Sequence, residues 1–240
     1  MGSMTPSQGL PRSTGDTLGY HDLNDLMSLM TGDEKHTVSA TSTLDVLWVL
    51  YDRILDVTPV SADDPWRDRF YLSKGHGPMA YYAVLAARGF IPVEELRGFG
   101  SFDSRLGHHP DRVLVPGVEI SSGSLGHGLP LAVGTALGLR AQGIGSRVVC
   151  LVGDGELDEG SNAEAIAYAG AAALDALTVV VVDNDSATLG WPGGIEQRFA
   201  VEGWHGVRVD GRNHAELELA LKQRTSGRPS VVVAEVEKES

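Results

Sequence analysis

The heptapeptide LTVVVVD at 177–183 places the tightest constraint on what this chain can fold into. A strand that is apolar on both faces is stable only when both faces are covered, which marks a parallel sheet sandwiched between helices. The surrounding pattern repeats the theme. Strand-like runs at 147–152, 177–183, 206–209 and 230–236 are interleaved with helical patterns at 162–173 and 214–224. The expected class is α/β, a parallel sheet with helices on both faces.

Upstream, apolar spacing at Leu18, Leu23, Leu26, Met27 and Met30 predicts a helix stopped by Gly32. A second helix fits STLDVLWVLYDRIL, with Ser42 or Thr43 as cap and Asp45 in its first turn. DRFYLS reads as a short strand, GPMAYYAVLAARG as a helix closed by Gly89, and PVEELRGF as a helix start. LPLAVGTALGLRAQG is a further helix, rich in small residues. Between residues 100 and 128 lies a long, glycine-rich, histidine-bearing stretch, and long loops in compact domains are usually functional.

The 240 residues, 42% hydrophobic, suffice for one large domain, assigned to 18–240. MGSM reads as a vector-derived remnant before Met4, and residues 1–17 as a mobile or extended arm. A formal net charge of −13 disfavours nucleic acid or an anionic membrane as partner, since both need clustered Lys and Arg. The single cysteine, Cys150, sits in a strand-like run, so no intrachain disulfide forms and a cytoplasmic setting is expected.

GDGELDEGSNAEAI at 153–166 carries five acidic residues directly after an apolar strand. In open parallel sheets, ligands gather beyond the carboxyl ends of the strands. Asp154 stands at such an end, and Asn184 stands at another thirty residues later. Gly153 and Gly155 let the backbone come close to a ligand. Oxygens from Asp154 and Asn184, with a main-chain carbonyl near Ser186, make half of an octahedral Mg²⁺ shell that diphosphate and water would complete. GDG alone is also an ordinary turn sequence, and DND an ordinary loop; the spacing between them is what suggests a site.

GDGELDEG followed by VDN resembles the diphosphate and metal motif of thiamin diphosphate enzymes, and the chain from about residue 18 to 236 is similar to the transketolase family. The resemblance implies thiamin diphosphate with Mg²⁺, or Ca²⁺ or Mn²⁺ in its place. KHTVSATSTLDVLWVLY gives His36 a donor and diphosphate contact, and LSKGHGPMAYY places His76 by the diphosphate. HHPD puts the family's histidine on His109 rather than His108, so that His36, His76 and His109 are the catalytic candidates. SGSLGHG brings the backbone of Gly123, Ser124 and Leu125 to the aminopyrimidine ring. Gly153, Asp154, Gly155, Glu156 and Asn184 form the diphosphate-side set, Asp154, Asn184 and Ser186 the metal set, and Glu159 an interface carboxylate. Glu156 and Asp158 otherwise read as solvated loop charge, and Glu164 as the start of the next helix.

Family members activate the cofactor with a glutamate from a following pyrimidine-binding domain, and the sequence stops at SVVVAEVEKES before any such domain. The resemblance therefore implies one subunit of a split enzyme, paired with a pyrimidine-binding, C-terminal-type subunit in an α₂β₂ assembly. The absence of a KGKG-type tail leaves truncation and a specialised partner surface as alternatives. Departures bear on substrate: DGRNH puts Arg212 where the family has histidine, and the glutamine of LGQG becomes His127. Arg212 and His127 are substrate candidates on that basis. The expected activity is transfer of a two-carbon ketol unit from a ketose donor. The alternatives are an E1-type α-keto acid decarboxylase component serving a lipoyl or acyl carrier, and a non-catalytic regulatory or scaffold homologue.

Overall fold

The computed structural model describes residues 18–31, 37–75 and 77–236, with backbone alone over 37–40. Five strands, β1 (Arg69–Leu72), β2 (Val148–Gly153), β3 (Leu177–Asp183), β4 (His205–Asp210) and β5 (Ser230–Glu235), form one sheet in the order β1-β2-β3-β5-β4. Every pairing is parallel. Among the described residues, seven α-helices surround it: α1 (Leu23–Ser28), α2 (Thr37–Val49), α3 (Pro78–Ala87), α4 (Gly128–Gln142), α5 (Gly160–Ala171), α6 (Ile195–Ala200) and α7 (His214–Lys222).

The period-two geometry of a strand explains why the central runs are apolar throughout. Val149, Leu151, Val180, Val182, Val232 and Ala234 point into a core shared with α1, α2, α3 and α7. Their alternates Val148, Cys150, Val152, Val179, Val181, Val231 and Val233 point into a second core with α4, α5 and α6. Cys150 is fully buried there, as a small hydrophobe. Strand β4 lies at the edge and is only partly buried. Its Arg208 reaches inward across the sheet face on the α6 side, pairing with Glu196 of α6, Asp183 at the end of β3 and Glu235 at the end of β5.

Local signals set the helix ends. Gly77, at φ +83°, turns the chain into α3 with Pro78 as first residue, and Gly143, at φ +70°, ends α4. The Asn213 side chain accepts from the amides of Ala215 and Glu216 and so caps α7. Two expectations need correction, and one helix lies outside them. Helix α2 begins at Thr37, so Ser42, Thr43 and Asp45 are buried within it instead of capping it; buried hydroxyls can take tertiary partners, as Ser42 does from Lys74 Nζ at 2.7 Å. Val93–Gly98 is a 3-10 turn, too short to propagate an α-helix. Helix α6, anchored by Ile195 and Phe199, has no clear periodic signal over its six residues. Among the described residues no helix is long and apolar enough to cross a membrane.

Close packing between α5 and the loop before β4 yields a test. A Cβ at Gly170 would lie 1.7 Å from the main-chain oxygen of Glu202. Gly170→Ala is expected to lower unfolding free energy by about 1–3 kcal/mol, the usual range for overpacking. Gly134→Ala, in α4 with nothing within 4 Å of the added carbon, is expected to raise it by about 0.5–1 kcal/mol. Urea denaturation of the two variants side by side checks both directions.

Candidate functional site

Parallel pairing brings the two oxygen donors together. Strands β2 and β3 are immediate neighbours, Gly153 pairs with Val182, and the amide of Asp154 donates to the Val182 carbonyl. Asp154 and Asn184 therefore leave the same rim of adjacent strands, 1% and 7% exposed. The Asp154 carboxylate accepts three hydrogen bonds from the loop after β3. The Ser186 amide and the Ala187 amide donate to Oδ2 at 2.6 and 3.0 Å, and Ser186 Oγ donates to Oδ1 at 2.6 Å. Such donors satisfy the oxygens of a buried carboxylate.

The DND run divides into three roles. Asp183 pairs with Arg208 at 2.7 Å, and Asp185 takes φ +63°, a conformation open to Asp that turns the loop back over Asp154. Between them, no hydrogen bond to the Asn184 carboxamide is found among the described residues. Gly155 keeps room for the approach, since a Cβ there would come within 3.4 Å of the Ser186 main-chain oxygen. One carboxylate, one carboxamide and one main-chain carbonyl form a hard oxygen set suited to Mg²⁺ or Ca²⁺. Among the described residues no three His, Cys, Asp or Glu side chains could hold a metal by themselves. An ion held by such a set would need further oxygens from a ligand or water.

The long loop meets this rim through glycine. Gly123, at φ +125°, lies against the ring of His109: an added Cβ would sit 2.8 Å from its Cγ. The neighbouring His108 turns elsewhere, edge-on to Phe99 at 5.2 Å. Gly75 faces the Leu125 side chain, and Gly128 packs on Ser73. The rim thus gathers the turn after β1, the 123–128 segment, the GDG turn and the Ser186 loop. Lys74, a residue outside the expected site set, runs its stem along Gly153 and donates to Ser42 Oγ at 2.7 Å. The only signal in the sequence was a cation inside LSKGH; its place beside GDG comes from the pairing of β1 with β2.

Against this geometry the comparisons with known proteins are specific. The family described as "Transketolase, thiamine diphosphate binding domain" matches residues 28–236. The chain belongs to the transketolase family. It is 57% identical over 92% of its length to "Ferredoxin fas2" of Rhodococcoides fascians, covering 73% of that protein. It is 35% identical over 82% of its length to "6-deoxy-6-sulfo-D-fructose transketolase subunit SqwG" of Clostridium sp. (strain MSTE9), covering 75% of it. The transketolase from Leishmania mexicana superposes on 92% of this chain with a TM-score of 0.75 at 26% identity, and the chain spans 37% of its length. The thiamine diphosphate-binding fold is therefore that of the N-terminal part of transketolases.

The remaining family positions fall as follows. His36 and His76 lie outside the described residues. Ser124, Leu125 and His127 are exposed on the loop rim, His127 preceding the first turn of α4. Glu159 is exposed on the isolated chain, its stem against Gly126. Helix α5 starts at Gly160, so Glu164 belongs to its second turn.

Glu156 and Asp158 are not solvated loop charge. Glu156 is 3% exposed; its Oε1 accepts from Ser73 Oγ and, at 2.9 Å, from the Gly126 amide. Burial pushes this carboxyl above its ordinary value. Asp158 Oδ2 accepts from the Thr188 hydroxyl at 2.7 Å and the Thr188 amide at 3.0 Å, and the hydroxyl bond leads in holding its carboxyl below the ordinary value. Sequence shows the charges but not these long-range donors.

Arg212 belongs to a cluster at the far end of the rim, with β3 and β5 standing between β4 and β2. It reaches Asp45 Oδ2 and the Thr41 carbonyl, both at 2.8 Å, while His214 Nε2 and Tyr20 Oη meet Asp45 Oδ1 at 2.8 and 2.6 Å. Partial burial, reinforced by Asp45, pushes the Tyr20 hydroxyl up to about 12. These groups line an open cavity of about 690 Å³ beside α2.

Gly123→Ala is expected to destabilise the chain by about 1–3 kcal/mol, through a strained φ and displacement of the His109 ring. It should also move the His109 imidazole resonances in an NMR spectrum. Gly160→Ala, with nothing within 4 Å of the new carbon, should leave those resonances in place.

Proposed function

We propose that this chain is the diphosphate-binding subunit of a two-component, thiamin diphosphate-dependent ketol transferase, active only with a pyrimidine-binding partner in an α₂β₂ assembly. The observation that carries the reading is the convergence of Asp154, Asn184 and the Ser186 loop on one rim with the Gly123–Gly128 segment. The N-termini of α3 and α4 border the same rim and favour an anion there.

Asp154, Asn184 and the main-chain carbonyl of Ser186 would hold Mg²⁺, or Ca²⁺ or Mn²⁺. Gly153, Gly155 and His76 would border the diphosphate, and the backbone from Gly123 to Leu125 would meet the aminopyrimidine ring. Bound thiamin diphosphate supplies the nucleophilic carbon and electron sink that a two-carbon transfer needs. His36, His76 and His109 would orient the donor hydroxyls and carbonyl, while His127 and Arg212 would make substrate-side contacts. Glu159 would lie in the subunit contact. The partner would contribute the activating glutamate and close the site against water. The single buried cysteine suits a cytoplasmic setting.

A second reading is an E1-type component that decarboxylates an α-keto acid. One observation favours it: a relative at 57% identity bears the name of an electron carrier, and oxidative decarboxylation releases electrons where ketol transfer does not. An iron–sulfur cluster needs about four cysteine thiolates. The 240 residues hold one, so a cluster would have its ligands outside them. Ketose consumption without CO₂ supports ketol transfer; CO₂ release from pyruvate with reduction of a one-electron dye supports the second reading.

Two outcomes test the proposal. Asp154→Ala should abolish the Mg²⁺-dependent rise in melting temperature that thiamin diphosphate produces, worth about 2.7 kcal/mol at a hundred times Kd. An unchanged rise would remove Asp154 from the site. Arg212→His should change the ratio of rates between phosphorylated and unphosphorylated ketose donors, measured with the partner present, because it replaces a fixed cation. An unchanged ratio would take Arg212 out of donor selection.

A further inference from the structure

Residues 99–127 contain no helix or strand, so the end of this loop that leads into α4 has no ladder of its own to hold it. Side chains from other segments hold it instead. The Gly126 amide donates to Glu156 Oε1 at 2.9 Å, and the Gly126 carbonyl accepts from Ser161 Oγ at 2.8 Å. Two residues on, the Gly128 amide donates to Ser73 Oγ at 2.9 Å. The Ser73 hydroxyl, having accepted from Gly128, donates its proton to the same Glu156 Oε1. One oxygen thus ties together the end of β1, the 126–128 backbone and the turn after β2. Asn162 Nδ2 fixes the Glu156 main chain from α5 at 2.7 Å.

The packing leaves little play. A Cβ on Gly126 would lie 2.4 Å from Ser161 Oγ, and one on Gly128 would lie 2.3 Å from the Ser73 Cβ. The other carboxylate oxygen of Glu156, Oε2, is buried and has no hydrogen-bond partner among the described residues. A carboxylate this buried is costly to keep, and filling space would need no charge at all.

We infer that Glu156 is a positioning residue: through Oε1 it sets the 123–128 backbone that, in the function proposed above, meets the aminopyrimidine end of the cofactor. The family resemblance instead implies a diphosphate-side contact for Glu156; in the positioning role it acts on the backbone, and the pyrophosphate measurement below separates the two. The inference rests on the thiamin diphosphate reading for its ligand, but the clamp itself can be read without one.

The test uses the full chain and its Glu156→Ala, Glu156→Gln and Ser73→Ala variants. Hydrogen–deuterium exchange without cofactor is expected to rise over 121–128 in Glu156→Ala and Ser73→Ala, and to stay near wild type over β2 and β3. Glu156→Gln keeps an acceptor for both donors and should retain protection. Affinity for thiamin diphosphate with Mg²⁺ is expected to fall about tenfold or more in Glu156→Ala, in line with losing charge-assisted hydrogen bonds. Affinity for inorganic pyrophosphate with Mg²⁺, which reads only the diphosphate end, should stay within about twofold.

A loss shared equally by both ligands would mean a general structural role and overturn the inference, as would unchanged exchange over 121–128. Should Glu156→Ala fail to fold, Ser73→Ala carries the same two measurements with the same expected split. If wild type binds no thiamin diphosphate, the proposed function falls, and with it the cofactor role inferred for Glu156; the exchange data would still show whether the clamp exists.

Discussion

A carboxylate at 1% exposure at the end of a central strand has to be met by donors, and most of the rim is organised around meeting it. Asp154 is held by two amides and a hydroxyl from the loop after β3. That contact is possible only because β2 and β3 pair in parallel with Gly153 opposite Val182. The sheet is therefore more than a scaffold: its register decides which loop Asp154 can reach.

From that point the loops lock to one another. Glycine at 75, 123, 126, 128 and 155 lets backbone and side chains from four segments approach to distances a Cβ would forbid at most of these positions. The price in chain entropy is carried by the two apolar cores, one on each face of the sheet, each lined by alternate residues of the central strands. The far end of the rim is organised differently. There the buried Asp45 collects Tyr20, Arg212 and His214 and joins the α1 side, α2 and the end of β4.

Much of this was legible in the residues. Runs such as LTVVVVD are apolar on both faces because both faces are covered, so class, parallel pairing and most strand limits follow within a residue or two. The GDG and DN pair, with its crossover spacing, pointed to the rim and to the two oxygen donors, and the wider motif pattern pointed to the family. Helix α6 and the 3-10 turn at Val93–Gly98 were harder, since six residues carry little periodic signal.

The amino-acid sequence by itself determined which strands are buried, where glycine must stand and that Asp154 and Asn184 leave one rim of the sheet, because these depend on side-chain type and short spacing. Only the tertiary structure decided where the charges go. Glu156 and Asp158 look alike in GDGELDEG, yet one is enclosed by Ser73 and Gly126 and the other is bound by Thr188. Arg212 looks like a loop arginine, yet it is paired with Asp45, 167 positions away in the chain. The reason is physical: a buried charge is kept by its hydrogen-bond partners, and partners from distant segments are chosen by sheet register and loop packing rather than by any local pattern.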